Sequence, residues 1–92
     1  MPILRLVRRP DGGDVYRAVV EEMKLHSRHP LGLIMHGASE VDGRTQIAQV
    51  WESIEYAERF EEEILAPALK AAGVGLEDVE VTVLELHDLV TP

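Results

Sequence analysis

The chain has 92 residues, a formal charge of −8 and no cysteine. The missing cysteines exclude a disulfide framework and a thiolate metal site, and an acidic chain with no concentrated Lys/Arg stripe is not a nucleic-acid binder. One domain over residues 1–92 is expected, and a domain of this size buries somewhat over ~60% of its unfolded surface.

The start of the chain lacks a basic region followed by an apolar stretch and a cleavage site, and no segment is long enough to span a bilayer. No membrane association and a cytoplasmic location are therefore expected. A small domain without covalent staples often gains stability by oligomerising.

Ile3 to Arg9 is short and rich in branched aliphatics, and it ends at Pro10-Asp11-Gly12-Gly13, which predicts a strand followed by a loop. Arg5, Arg8 and Arg9 form the one basic cluster, either a charged strand end or an anion site. Asp14 to His26 carries apolar residues at helical spacing, with Asp14 placed to cap the first turn. Pro30 closes that segment. Two strands are expected next, Leu31 to Glu40 and Arg44 to Trp51, joined at Asp42-Gly43, because both residues of a tight hairpin turn favour positive φ.

Ser53 suits the N-cap of a second helix, and Glu55 suits its dipole. Ala57, Phe60, Ile64, Ala68 and Ala71 form the stripe expected to be buried, with a kink or break at Pro67, which has no N–H for the preceding turn. Gly73 and Gly75 end the helix. Asp78 to Val90 then alternates as a strand with one buried face.

The order β-α-β-β-α-β predicts an α+β, ferredoxin-like fold. Right-handed crossovers give an antiparallel four-stranded sheet with the first and third strands central and both helices on one face. The opposite face then needs a cover, and a second copy of the same sheet makes a two-fold homodimer.

The hairpin register carries the functional expectation. With Asp42-Gly43 as the turn, Val41 pairs with Arg44, Ala38 with Ile47, His36 with Gln49 and Ile34 with Trp51. Period-2 alternation puts the last six on one face and Leu33, Met35, Gly37, Ala48 and Val50 on the other, which is expected to be plain core. Two polar groups beside a large aromatic on a partly apolar wall suit a small-molecule pocket. Trp51 would stack on a flat ligand, His36 would act as acid or base, Gln49 would hydrogen-bond, and Tyr56 and Phe60 would line the far side. The alternative is a half-exposed face meeting water or a partner, and a bulge within the turn would move His36 to the other face.

Other chemistry is thinly represented. His26, His29, His36 and His87 are four histidines without an acidic ligand placed beside them, so no metal site is expected. Removal of Met1 would expose Pro2 as a secondary amine, the general base of tautomerases. Nucleophile-elbow, phosphate-loop and dinucleotide motifs are absent.

The Gly-Leu-Ile-x-His strand at 32–36, the Asp-Gly turn, the Val50-Trp51-Glu52-Ser53 junction, Phe60 and the Leu-Ala-Pro-Ala-Leu segment at 65–69 resemble the dimeric α/β-barrel superfamily. The nearest subgroup is the antibiotic-biosynthesis-monooxygenase-like proteins, many without an assigned function. The resemblance implies a homodimer through facing sheets and a pocket between sheet and helices. It also implies cofactor-independent oxygenation of phenolic polycyclic molecules, haem degradation, cyclisation or isomerisation. Quinone-forming and haem-degrading members typically use a pocket Asn, and this chain has none. The His often found early in their second helix is replaced here by Arg59, Phe60 and Glu61. Haem degradation is therefore not expected.

Two functions follow. One is an enzyme without cofactor, acting on a flat apolar or aromatic molecule by oxygenation or proton transfer. The other is a homodimer that binds a ligand or partner without chemistry.

Overall fold

The computed structural model describes residues 1–24, 29–75 and 79–91. The elements are β1 (Ile3–Arg9), α1 (Gly13–Met23), β2 (Leu33–Val41), β3 (Arg44–Trp51), α2 (Ile54–Phe60), a π-helical turn (Glu61–Leu65), α3 (Ala66–Ala72) and β4 (Glu80–Glu85). The sheet is antiparallel in the order β2-β3-β1-β4, so the first and third strands are central, as the ferredoxin-like order requires. No helix among the described residues is long and apolar enough to cross a membrane.

The hairpin turns at Asp42 (φ 52°) and Gly43 (φ 77°), the two positive values that a tight turn demands. From there the register runs as expected through Ala38–Ile47 and His36–Gln49 to Met35–Val50. Beyond Met35 it breaks. A bulge between Leu33 and Met35 places Leu33, not Ile34, opposite Trp51. The extra residue rotates the strand end, so Leu33 turns into the core at 8% exposure while Met35 stays 57% exposed.

The face expected to be plain core is instead the outer one, save for Leu33. The helices cover the side of the sheet that carries Ile3, Arg5, Val7, Thr45, Gln49 and Trp51, all buried. Met35, Leu6 and Leu84 lie on the outer side and are exposed. The mixed face is the core side, and the plainly apolar face is the uncovered one.

Helix α1 begins one residue before Asp14. Gly12 is its N-cap, and the Glu40 carboxylate at the end of β2 accepts the Gly13 N–H at 2.5 Å. Asp14 lies inside the first turn and pairs with Arg17 instead of capping. The helix closes at Lys24 in the left-handed conformation, so the described helix ends before His26, which lies outside the described residues.

The kink expected at Pro67 is a π turn one step earlier, where the Ala66 N–H bonds back five residues to the Glu61 carbonyl. One extra residue in the turn shifts the buried stripe by one. Ala57, Phe60 and Ala68 are buried as expected, but Leu69 joins them and Ala72 replaces Ala71 against the core.

β4 is shorter than expected, and Asp78 lies outside the described residues. Its valine face is not buried: Val81 and Val83 are 49% and 45% exposed. β4 is an edge strand, and both α1 and α2 pack over the central strand β3.

Candidate functional site

The sheet register assembles the site. His36 on β2 pairs with Gln49 on β3, and Gln49 pairs with Arg5 on β1, so the three form one row across the helix-facing side. Arg5 and Gln49 are buried, and buried polar groups need partners. The Gln49 Oε1 accepts an Arg5 guanidinium N–H at 3.2 Å and the Trp51 indole N–H at 3.1 Å. Arg5 reaches Glu61 on the π turn with its other arm.

This fixes proton positions further along. Arg5 and Trp51 are donors only, so the amide oxygen must face them. The amide NH2 therefore faces His36 Nδ1, 3.2 Å away. An accepting Nδ1 puts the proton of the neutral imidazole on Nε2. Nε2 lies 2.7 Å from the Tyr16 hydroxyl on α1, and the two rings are within 9° of parallel. Burial raises the Tyr16 phenol above its ordinary value of 10.0, so it keeps its proton.

The row opens onto a cavity of about 440 Å³ between the sheet and the helices. That size suits a drug-sized ligand. Val7, Val19, Met23, Ile47, Phe60, Leu65, Leu69 and Val81 give it apolar walls. Arg5, Arg9, Tyr16, His36, Gln49, Glu61 and Glu62 supply its polar groups. Arg9 is bound by Asp11 at 2.9 and 3.1 Å and by the Gly75 carbonyl at 3.2 Å. Its guanidinium, by hydrogen bond and charge, holds the Asp11 carboxyl below its ordinary value.

His36, Gln49 and Phe60 line the cavity, as the hairpin and second-helix arguments expect. Trp51 does not. It is fully buried, with its ring centroid 5.0 Å from that of Phe60, so it shapes the wall from behind and offers no face for stacking. Tyr56 is also outside the cavity. It packs over Gly32, where φ is +85° and an added Cβ would stand 2.3 Å from the Tyr56 ring. Sequence reasoning left Arg5 in a basic cluster read as a strand end or an anion site, and it missed Tyr16 and Glu61 as site residues. The Arg5, Arg9 and Arg8 alternation held the signal for Arg5, since period 2 sends Arg5 and Arg9 inward and Arg8 outward.

Among the described residues no three His, Cys, Asp or Glu side chains are grouped to hold a metal. His29 Nε2 is 2.5 Å from the Leu33 carbonyl. Pro2 does not line the cavity, and its carbonyl accepts the Leu86 N–H at 3.0 Å.

The fold is shared with several solved structures. Rv0793 from Mycobacterium tuberculosis matches with a TM-score of 0.75 at 18% identity, over 99% of this chain and 100% of that one. SnoaB, a cofactor-independent oxygenase from Streptomyces nogalater, matches at 0.71 and 12% identity, over 99% and 98%. The monooxygenase from the gene ActVA-Orf6 of Streptomyces coelicolor, solved with nanaomycin D, matches at 0.65 and 17% identity, over 98% and 91%. No family model matches the chain, and neither does any curated protein sequence. The chain thus has the fold of the antibiotic-biosynthesis-monooxygenase-like proteins.

Proposed function

We propose that this chain takes a flat, largely apolar or aromatic small molecule into the helix-side cavity and transforms it without a cofactor, by oxygenation or proton transfer. One observation carries this reading. An apolar cavity of ligand size is interrupted by a hydrogen-bonded string, Arg5–Gln49–His36–Tyr16, whose members fix one another's orientation. A pre-oriented donor at the end of an apolar cavity stabilises an oxygen that gains negative charge during reaction. In the oxygenase form a phenolic ring and O2 give a quinone and water. One oxygen atom enters the ring, and the other leaves as water with the phenolic hydrogen and the displaced ring hydrogen. The fold shared with a cofactor-independent oxygenase supports this class.

His36 works in this reading chiefly through Tyr16, since its Nε2 proton is directed at the phenol and its Nδ1 at the Gln49 amide. That engagement of both ring nitrogens favours a second reading, a binding protein without chemistry, because it leaves no basic nitrogen turned to the ligand. The test is to purify the protein from its native host, identify the co-purifying small molecule by mass spectrometry and assay it under O2. His36→Ala removes the bond that orients the Tyr16 hydroxyl and is expected to lower turnover by roughly 10²-fold, the scale of a mis-set oxyanion donor, with ligand affinity changed only a few-fold. Ligand recovered unchanged under every condition would establish the binder.

We also propose that a second copy of the chain covers the outer sheet face. Met35, Leu6 and Leu84 are exposed there, and a shallow groove of about 470 Å³ crosses the same face at Gly37, Ala48 and Gln46.

A further inference from the structure

We infer that the Tyr16 hydroxyl is the group that meets the ligand, and that the ligand presents a carbonyl oxygen to it on a flat ring frame. This rests on the cavity reading above and adds what the ligand must carry.

The hydrogen bonds along the row force one another's direction. Arg5 and Trp51 hold the Gln49 oxygen, so its NH2 is turned to His36 Nδ1. The imidazole proton therefore sits on Nε2 and is donated to the Tyr16 oxygen at 2.7 Å. A hydroxyl that accepts from Nε2–H cannot return its own proton along the same line, so the Tyr16 O–H turns elsewhere. Tyr16 lines the cavity, and its phenol is held protonated by burial. Tyr16 thus turns an O–H donor into the chamber, strengthened as a donor by the bond its oxygen accepts.

An acceptor must answer that donor. The cations in the wall argue for a neutral oxygen. Arg5 is paired with Glu61 and Arg9 with Asp11, and Glu62 adds a further negative charge to the wall. A ring oxyanion would enter a chamber whose positive charges are already matched. A carbonyl oxygen accepts the same hydrogen bond without that cost, and the charge it gains in reaction falls on the bond that strengthens with it.

Fluorenone and fluorene test this. They share a flat tricyclic frame and differ by the carbonyl oxygen. The wild-type protein is expected to bind fluorenone roughly five-fold or more tightly than fluorene, the worth of one neutral hydrogen bond. The bound carbonyl stretch should move to lower frequency. Tyr16→Phe should bind fluorene as before and lose both the preference and the shift. Nitrogen-15 NMR of the free protein should show His36 protonated at Nε2 and bare at Nδ1. Equal binding of the two compounds, a preference that survives in Tyr16→Phe, or a protonated Nδ1 in the neutral ring would each overturn the inference while leaving the cavity reading standing. If neither compound binds, the cavity reading fails and the inference fails with it.

Discussion

Gln49 shows how one side chain sets the character of the site. It is 4% exposed, and its single oxygen serves two donors that have few other partners, the Trp51 indole N–H and one arm of Arg5. Gln49→Leu keeps the volume and removes the acceptor. The Trp51 indole N–H and one arm of the Arg5 guanidinium would then lose their acceptor, while the other arm keeps Glu61. The expected loss is about 2–3 kcal/mol of stability, read as a lower urea midpoint with an unchanged slope. Half of this arrangement was legible in the sequence. The Asp42-Gly43 turn is local, so it fixed His36 opposite Gln49 by counting outward from the turn. Alternation along β1 could send Arg5 inward, but its pairing with Gln49 and the place of Tyr16 were not legible, because nothing local sets the register of β1 on β3 or the rotation of α1 over the sheet. Trp51 lies on the expected face but is sealed behind Phe60, and Ile34 was misplaced opposite it for a related reason. A bulge at Leu33 re-aims the strand end, and a period-2 count cannot see an inserted residue.

The same limit acts on whole elements. Strand order and the central position of β1 and β3 follow from connection handedness, which the element order alone decides. The π turn does not follow from it. Pro67 announces a break, but whether the helix bends, stops or widens depends on what Glu61 and Leu65 pack against. Widening moves Leu69 to the core and brings Glu61 within reach of Arg5, so the helix irregularity is part of the site. The β1–α1 loop is tied to the end of α3 by Arg9, which holds Asp11 and the Gly75 carbonyl together. The Arg9 hydrogen bond lowers the Asp11 pKa in the folded chain, and burial only partly opposes it. A depressed folded pKa means that the unfolded chain binds the proton first. The stabilisation is thus complete above the ordinary value of 3.8 and is lost as pH falls below it. Asp11→Asn should flatten the acid limb of a plot of urea midpoint against pH, with the largest difference from wild type near neutral pH. An unchanged acid limb would show that the pair contributes nothing to folding.

At the scale of the molecule, the two sides of the sheet have separate tasks. The helix side holds the cavity and its hydrogen-bonded row. The outer side is ordered in three rows across the strands. Met35, Val50, Leu4 and Leu84 form an apolar row, Gly37, Ala48, Leu6 and Thr82 a small and mixed one, and Ser39, Gln46, Arg8 and Glu80 a polar one. A lone domain gains nothing from exposing Met35, Leu84 and Leu6 side by side, since contiguous apolar surface marks an interaction site. The gradient from apolar to polar also gives a two-fold partner a defined way to lie, because an isologous interface sets each patch against its own copy. Leu6 sits mid-sheet on β1 at 38% exposure, so Leu6→Lys places a charge in the middle of that face with little strain on the folded chain. In the proposed dimer two such charges would be buried and unpaired within the interface, which costs several kcal/mol. Light scattering should then report a dimer for the wild type and a folded monomer for Leu6→Lys, with the far-ultraviolet dichroism unchanged. A wild-type monomer, or a variant that stays dimeric, would move the interface off this face and leave the outer groove to another occupant.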